Sequence, residues 1–197
     1  MQIPANNIPE KAKRRFTKRT LGTLIFFTAL NIVLIVVLVN RLTAANHIIS
    51  GTAIAPLVGH PAPDFTLTTW NTPAQPSIEL ASLKGKPVVM NIWASWCEPC
   101  KTEVPAFQSA WQQHQSEGIV FLGIDYQDTA TDAQRFLQRY GVTYPSGPDA
   151  SGTISVNYGV SNVPTTIFID RSGTVVRKIL GQVDAQTLEN EIQQLLK

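Results

Sequence analysis

The chain has 197 residues, 44% of them hydrophobic, and a formal net charge of +2. That length and composition suffice for one domain of ordinary size with a short appendage. Six of the sixteen basic residues precede residue 20, whereas residues 42–197 hold nine basic and thirteen acidic residues, a net charge of −4. Because the positive charge belongs to the tail, a nucleic-acid partner has no electrostatic support.

The basic tail, residues 1–20, leads into an apolar stretch over residues 21–40 that contains no ionisable side chain. As a helix, residues 21–39 would reach roughly 28 Å, enough to cross the hydrocarbon core of a bilayer. Basic residues stay on the cytoplasmic side, so the sequence predicts a single-pass membrane anchor with everything after Arg41 outside the cytoplasm. The alternative is a signal peptide cleaved near residues 43–45, although such apolar regions usually run only about 7–15 residues.

Residues 41–57 are predicted to be a polar linker and residues 58–197 one domain. Apolar runs and alternation predict strands, and three- to four-residue periodicity predicts helices. In chain order, the predicted elements are a hairpin at 64–68 and 78–80, a buried strand at 88–94, a helix at 97–118, a strand at 119–125, a helix capped at Thr131 or Asp132 and ended by Gly141, an extended piece at 144–145, a short helix at 151–158, a hairpin at 163–169 and 174–180, and a helix at 184–196. This order predicts an α/β sandwich around a mixed sheet.

The two cysteines, Cys97 and Cys100, have C-x-x-C spacing, which fits three roles. A structural disulfide closing so short a loop would restrain little of the unfolded chain. Half a zinc site would need more ligands, and His47, His60 and His114 are scattered without ligand spacing, so neither metal nor cofactor is expected. A redox pair is the third role, and the flanking residues decide among the three.

Cys97 is predicted to lie where a buried strand gives way to a helix. Unpaired backbone N–H groups and the helix dipole favour the thiolate there, so Cys97 is expected to attack substrate disulfides. Cys100, one turn further in, is expected to be more sheltered and to resolve the mixed disulfide. Pro99 suits the first helical turn, where a missing N–H is harmless.

Two glutamates flank the second cysteine. Glu98 places a carboxylate beside the thiols, which should oppose thiolate formation and favour a more reducing couple. Glu103 lies three residues after Cys100 on the same helix face. It is either a surface glutamate or, if burial raises its pKa, a proton acceptor for Cys100 during resolution.

The segment Trp96-Cys97-Glu98-Pro99-Cys100, together with Pro105 and Val163-Pro164-Thr165, resembles the thioredoxin superfamily. More narrowly, residues 58–197 resemble the membrane-anchored TlpA/ResA/DsbE (CcmG)-type thiol-disulfide oxidoreductases, which carry a redoxin domain similar to AhpC/TSA. The matching segments are Gly59-x-x-Ala62-Pro63-Asp64-Phe65, Leu83-Lys84-Gly85-Lys86, residues 91–100, Glu103-x-Pro105 and Val163-Pro164-Thr165-Thr166.

This resemblance implies a thioredoxin-like fold, a central mixed β-sheet flanked by helices. It implies that Pro164 is a cis-proline opposite the cysteines, that the backbone of Val163 holds a substrate chain, and that Glu103 is functional. It also implies substrate contacts by the residues around the thiols, Trp96, Glu98 and Pro99. Typical thioredoxins have a buried Asp where Asn91 stands, so proton transfer cannot use a carboxylate there.

The resemblance also implies an enzyme that reduces disulfides in extracytoplasmic proteins. Its favoured substrate would be apocytochrome c, and its electrons would come from a membrane thiol-disulfide reductant. A thiol peroxidase is a second hypothesis, but the Pro-x-x-x-Thr-x-x-Cys arrangement of such enzymes is missing before Cys97. A non-enzymatic metallochaperone holding Cu(I) is a third, disfavoured by a cis-proline at Pro164. An oxidase role stays open, because the reduction potential depends on how well the thiolate is stabilised.

Overall fold

The computed structural model describes residues 28–37 and 57–197, which belong to two units of the chain, Met1–Ala53 and Ile54–Lys197. In the first unit, residues 28–37 form helix α1, which is exposed along its length. This helix falls within the anchor predicted over residues 21–40. The rest of that segment, the tail 1–20 and residues 41–56 lie outside the described residues. Within the two described ranges, no helix combines the length and apolarity that crossing a membrane requires.

Residues 57–197 contain seven strands and four helices. The strands are β1 (Thr66–Thr68), β2 (Ser77–Glu79), β3 (Val88–Trp93), β4 (Val120–Asp125), β5 (Ser146–Pro148), β6 (Thr165–Ile169) and β7 (Val175–Leu180). The helices are α2 (Glu98–His114), α3 (Ala130–Arg139), α4 (Thr153–Asn157) and α5 (Ala185–Leu196), with 3-10 turns at Leu80–Leu83 and Gln115–Glu117. The prediction for the start of α3 is wrong. Thr129 caps it, because its hydroxyl oxygen accepts a hydrogen bond from the Asp132 backbone N–H at 3.1 Å.

Five strands form one mixed sheet in the order β5-β4-β3-β6-β7. The central strand β3 runs parallel to β4 and antiparallel to β6. All six residues of β3 are buried, because protein covers both faces of the sheet. The prediction of a thioredoxin-like α/β fold with a mixed central sheet is confirmed.

Alternation along β3 divides its side chains between two hydrophobic cores. Val89 and Trp93 join the core that contains both cysteines and the apolar faces of α2, α3 and α5. Val88, Met90 and Ile92 join the core formed with α4 and the 3-10 turn at Leu80–Leu83. The chain that follows β3 therefore brings both cysteines into the first core.

The hairpin of β1 and β2 covers the outer edge of β5. The Asn71 amide donates hydrogen bonds to the carbonyls of Val142 and Tyr144 and accepts one from the Ser146 N–H. At Gly147 the approach is so close that a Cβ would collide with the Thr68 carbonyl oxygen. The hairpin thus shields an edge that would otherwise expose unpaired backbone groups.

Candidate active site

The two cysteines lie at the N-terminus of α2, where the predicted strand-to-helix junction falls. Cys97 is the N-cap residue, and its Sγ accepts a hydrogen bond from the Cys100 backbone N–H at 3.2 Å. The two residues are joined by a disulfide bond. Cys97 is 4% exposed and Cys100 is 0% exposed. Of the two cysteines, Cys97 thus keeps a small exposed area, whereas Cys100 is fully enclosed.

The loop before β6 contributes the second feature that the resemblance implied. The Val163–Pro164 peptide bond is cis. Val163 is half-buried and packs against the core that contains both cysteines. Trp96, immediately before Cys97, is 56% exposed. Both loops thus contribute an apolar side chain that is at least partly accessible to solvent.

Glu103 is a buried residue, 1% exposed, and the surface interpretation of this glutamate is wrong. Its Oε1 accepts a hydrogen bond from the Asn91 amide at 2.8 Å, and its Oε2 accepts one from the Val183 backbone N–H at 3.0 Å. Burial raises the pKa of Glu103 to about 7, even though both hydrogen bonds lower it. At neutral pH this carboxyl can therefore either hold or accept a proton.

Asn91 lies in the middle of β3 and is the partner that orients Glu103. It is 1% exposed, and its amide also donates to the Thr166 hydroxyl at 3.3 Å. Its Oδ1 has no hydrogen-bond partner among the described residues. In the sequence, Asn91 stands out only as a position that lacks the carboxylate of typical thioredoxins. An amide in an otherwise apolar strand was the signal that could have identified it as a partner of a buried polar group.

Glu98 is exposed to solvent. It forms an ion pair with Lys101, whose Nζ donates to Oε2 at 2.8 Å, and its side chain is 82% exposed. The neighbouring ammonium group and solvent offset the charge that Glu98 was expected to place beside the thiols. Glu98 therefore gives little support to a more reducing Cys97–Cys100 couple. Pro99 occupies the first turn of α2, as predicted.

A second acidic group, not predicted from the sequence, is the last residue of β4. Asp125 pairs in register with Trp93 and is 3% exposed, and its Oδ1 has no hydrogen-bond partner in the described part of the chain. Burial, and then the charge of nearby Asp128, raise the pKa of Asp125 to about 7. Asp128 itself accepts a hydrogen bond from the Ser95 backbone N–H at 2.6 Å. The loop after β4 therefore contacts the segment that precedes Cys97.

His114, at the far end of α2, is buried and bonded on both ring nitrogens. Nδ1 lies 3.0 Å from Glu117 and Nε2 lies 2.9 Å from Glu189, so the histidine links α2 to α5.

Among residues 28–37 and 57–197, no group of three or more His, Cys, Asp or Glu side chains is arranged to hold a metal ion.

A C-x-x-C disulfide at a helix N-terminus, together with a cis-proline before β6 of a thioredoxin-like sheet, defines a thiol-disulfide oxidoreductase. Such an enzyme acts on proteins that contain disulfides. The chain belongs to the AhpC/TSA family, whose model matches residues 58–178.

Similar proteins carry the same activity in their names. Thiol-disulfide oxidoreductase ResA of Bacillus subtilis is 31% identical over 187 residues, covering 95% of this chain and 96% of that protein. ResA of Bacillus thuringiensis is 32% identical over 138 residues, covering 70% and 78%.

Solved structures of the same class superpose on the domain. The thiol:disulfide interchange protein DsbE of Chlorobium tepidum has a TM-score of 0.65 at 28% identity, covering 71% of this chain and 98% of that one. A secreted Mycobacterium tuberculosis disulfide oxidoreductase homologous to DsbE has a TM-score of 0.59 at 26% identity, covering 66% and 96%. The chain is thus a thiol-disulfide oxidoreductase of ResA/DsbE type.

Proposed function

We propose that this enzyme reduces disulfides in extracytoplasmic proteins, that Cys97 attacks and Cys100 resolves, and that Glu103 takes the proton from Cys100. The observation that carries the proposal is the enclosed Cys100 on the same helix as a buried carboxyl whose pKa is raised to about 7. An enclosed thiol must lose its proton to a group inside the protein before it can attack, and Glu103 is suited to that task.

The cycle starts from the reduced pair. The Cys97 thiolate attacks the substrate disulfide, forms a mixed disulfide and releases one substrate thiolate. The Cys100 thiol then gives its proton to Glu103 and attacks the Cys97 sulfur. This step closes the Cys97–Cys100 disulfide and releases the second substrate thiolate. The substrate gains two electrons, and a membrane thiol-disulfide reductant returns two electrons to the pair.

The surface that receives the substrate comprises Trp96, Glu98, Pro99, Val163 and Pro164. Support comes from the exposed indole of Trp96 and from the half-buried Val163. The groups around Cys97 offer apolar area and one ion pair, which suits an extended polypeptide better than a small charged thiol. The metallochaperone hypothesis lacks comparable support, since the similar proteins named above are oxidoreductases.

The location in the proposal is the outer side of the cell membrane, with residues 21–40 as the anchor and the tail 1–20 in the cytoplasm. Its support is the basic tail, the apolar stretch and the secreted relative of DsbE type. In intact spheroplasts, added protease should digest the domain and spare the tail. A domain that resists protease until the cells are lysed would contradict this location.

The substrate in the proposal is apocytochrome c, supported by the resemblance to the TlpA/ResA/DsbE type. Replacing Cys100 with Ser should leave each substrate covalently attached to Cys97, because resolution is blocked. The trapped partners can then be identified from native membranes by mass spectrometry. We expect the trapped proteins to be cytochrome precursors, whereas a broad range of secreted proteins would indicate general disulfide reduction.

A further inference from the structure

The loop between β4 and α3 forms three hydrogen bonds with the segment that leads from the end of β3 to Cys97. Each contact joins a group of residues 126–128 to a group of residues 93–96. The contacts are Tyr126 N–H to the Trp93 carbonyl at 2.8 Å, Ser95 N–H to Asp128 Oδ2 at 2.6 Å, and Trp96 Nε1–H to the Gln127 carbonyl at 3.2 Å. The loop is thus bonded to the backbone and to the indole that precede the attacking cysteine.

Asp128 is the side chain in this set that bridges two backbone segments. Its Oδ2 accepts from Ser95 N–H, and its Oδ1 accepts from Thr129 N–H at 2.8 Å, at the cap of α3. Hydrogen bonds to a carboxylate are shorter and stronger than those between neutral groups. Without this carboxylate, the partly buried Ser95 N–H would lose its partner.

Gln127 adopts a backbone conformation that a glutamine rarely takes. Its φ is 50°, the single positive φ of a non-glycine residue among the described residues. Such a conformation costs free energy and persists where neighbouring contacts enforce it. Here it places the Gln127 carbonyl against the Trp96 indole N–H. The indole is fixed by its polar edge, while 56% of the residue stays exposed.

We propose that Asp128 is a positioning residue of the redox site, which holds Ser95 and, together with the Gln127 carbonyl, presents the Trp96 indole to a polypeptide substrate beside Cys97. The inference rests on the proposed roles of Cys97 as attacking thiol and Trp96 as a substrate contact. The proposal predicts that two classes of disulfide depend differently on Asp128. A small disulfide needs only the Cys97 thiolate, whereas a peptide disulfide also needs the indole in place.

The test uses two probes that share one leaving group. Full-length chain carrying Cys100→Ser reacts either with dithiodipyridine or with a peptide whose cysteine bears a pyridylthio group. In both reactions the Cys97 thiolate attacks a disulfide, forms a mixed disulfide and releases thiopyridine, whose absorbance gives the rate. Measurement at a pH above which the rate no longer rises removes any effect of Asp128 on the ionisation of the attacking thiol.

Asp128→Ala should slow peptide capture about tenfold or more, as loss of a charge-assisted hydrogen bond allows, and slow the dithiodipyridine reaction less than about threefold. Asp132→Asn is the matched control. It removes a carboxylate from the same helix start, bonded to Thr129 and Arg135 but not to residues 93–96. Both of its rates should stay within about twofold of the parent chain.

A double-mutant cycle links Asp128 to the indole. Trp96→Phe removes the N–H that contacts Gln127, so combining it with Asp128→Ala should slow peptide capture less than the product of the single effects. If Asp128→Ala does not fold, Asp128→Asn, which keeps an acceptor for Ser95 N–H but removes the charge, must still slow peptide capture more than the dithiodipyridine reaction, by a smaller factor. Equal slowing of both probes, or peptide capture unchanged in Asp128→Ala, would overturn the inference. A parent chain that captures neither probe would instead contradict the proposed role of Cys97.

Discussion

At the scale of single residues, the most specific prediction concerns Glu103. Glu103→Gln keeps the shape and a hydrogen-bond acceptor for Val183 but cannot take a proton. Resolution by Cys100 should slow by roughly 10²-fold, the lower end of what general-base catalysis contributes, while the first attack by Cys97 changes little. Stopped-flow mixing of the reduced enzyme with a peptide disulfide should show the mixed disulfide accumulating.

The matched control for that change is Glu79→Gln, at the end of β2 and outside the surface proposed to receive the substrate. Glu79 is exposed, so neither step should change by more than about twofold. In the unmodified enzyme the resolution rate should rise as pH increases through about 7, where Glu103 ionises, and this rise should be missing in Glu103→Gln. Equal slowing of both steps would contradict the proton-acceptor role.

A second prediction concerns Asn91, which donates a hydrogen bond to Glu103. Its amide hydrogen bond lowers the pKa of Glu103, against the dominant effect of burial. Asn91→Ala removes that bond, so the pKa of Glu103 should rise and the pH midpoint of the resolution rate should move upward. The midpoint is read from the same stopped-flow experiment between pH 5 and 9, a range that brackets a group titrating near 7. A midpoint that stays or moves down would contradict the orienting role of Asn91.

At the scale of secondary-structure elements, the β1–β2 hairpin depends on a glycine. A Cβ on Gly147 would meet the Thr68 carbonyl, which belongs to the backbone and cannot rotate away. Gly147→Ala should therefore reduce the free energy of unfolding by about 3 kcal/mol, the upper part of the range for overpacking. Urea denaturation measures the loss.

The comparison for Gly147→Ala is Gly123→Ala in the neighbouring strand. A Cβ there would meet the Ser146 hydroxyl and the Trp93 indole, which are buried side-chain atoms rather than backbone atoms. Its cost should be smaller than that of Gly147→Ala. If Gly123→Ala cost more than Gly147→Ala, the hairpin must be able to move away from a methyl group added at Gly147.

Elements were predictable from the sequence wherever a pattern is local. The apolar run over residues 88–94 and the periodic stripe of α2 depend on neighbouring residues only, so both were predicted correctly. The start of α3 was wrong because Thr129, Thr131 and Asp132 are all good caps, and tertiary contacts select among them. The Asn91–Glu103 and Ser95–Asp128 contacts join different elements, and no local pattern encodes such pairs.

At the scale of the whole molecule, several titrating groups act on stability in the same direction. The pKa values of buried Glu103 and Asp125 are raised to about 7. For His114, burial opposes the charged form, but bonds and charges from Glu189 and Glu117 outweigh it and raise its pKa. In each case the folded protein binds more protons than the unfolded chain over the window between the two pKa values, so stability falls as pH rises.

The free energy of unfolding should therefore decrease between about pH 4.5 and pH 7, by about 1.4 kcal/mol per pH unit for each carboxyl involved. Asp170 and Glu189 have lowered pKa values and act oppositely, since the stability they contribute is lost as pH falls through those values. The stability maximum should consequently lie on the acidic side of neutrality. Urea titrations across this range measure the slope of the free energy of unfolding against pH. Glu103→Gln and Asp125→Asn should each reduce this slope by about 1.4 kcal/mol per pH unit, which corresponds to one proton. A slope that is flat or rises with pH would show that these carboxyls are already ionised in the folded protein.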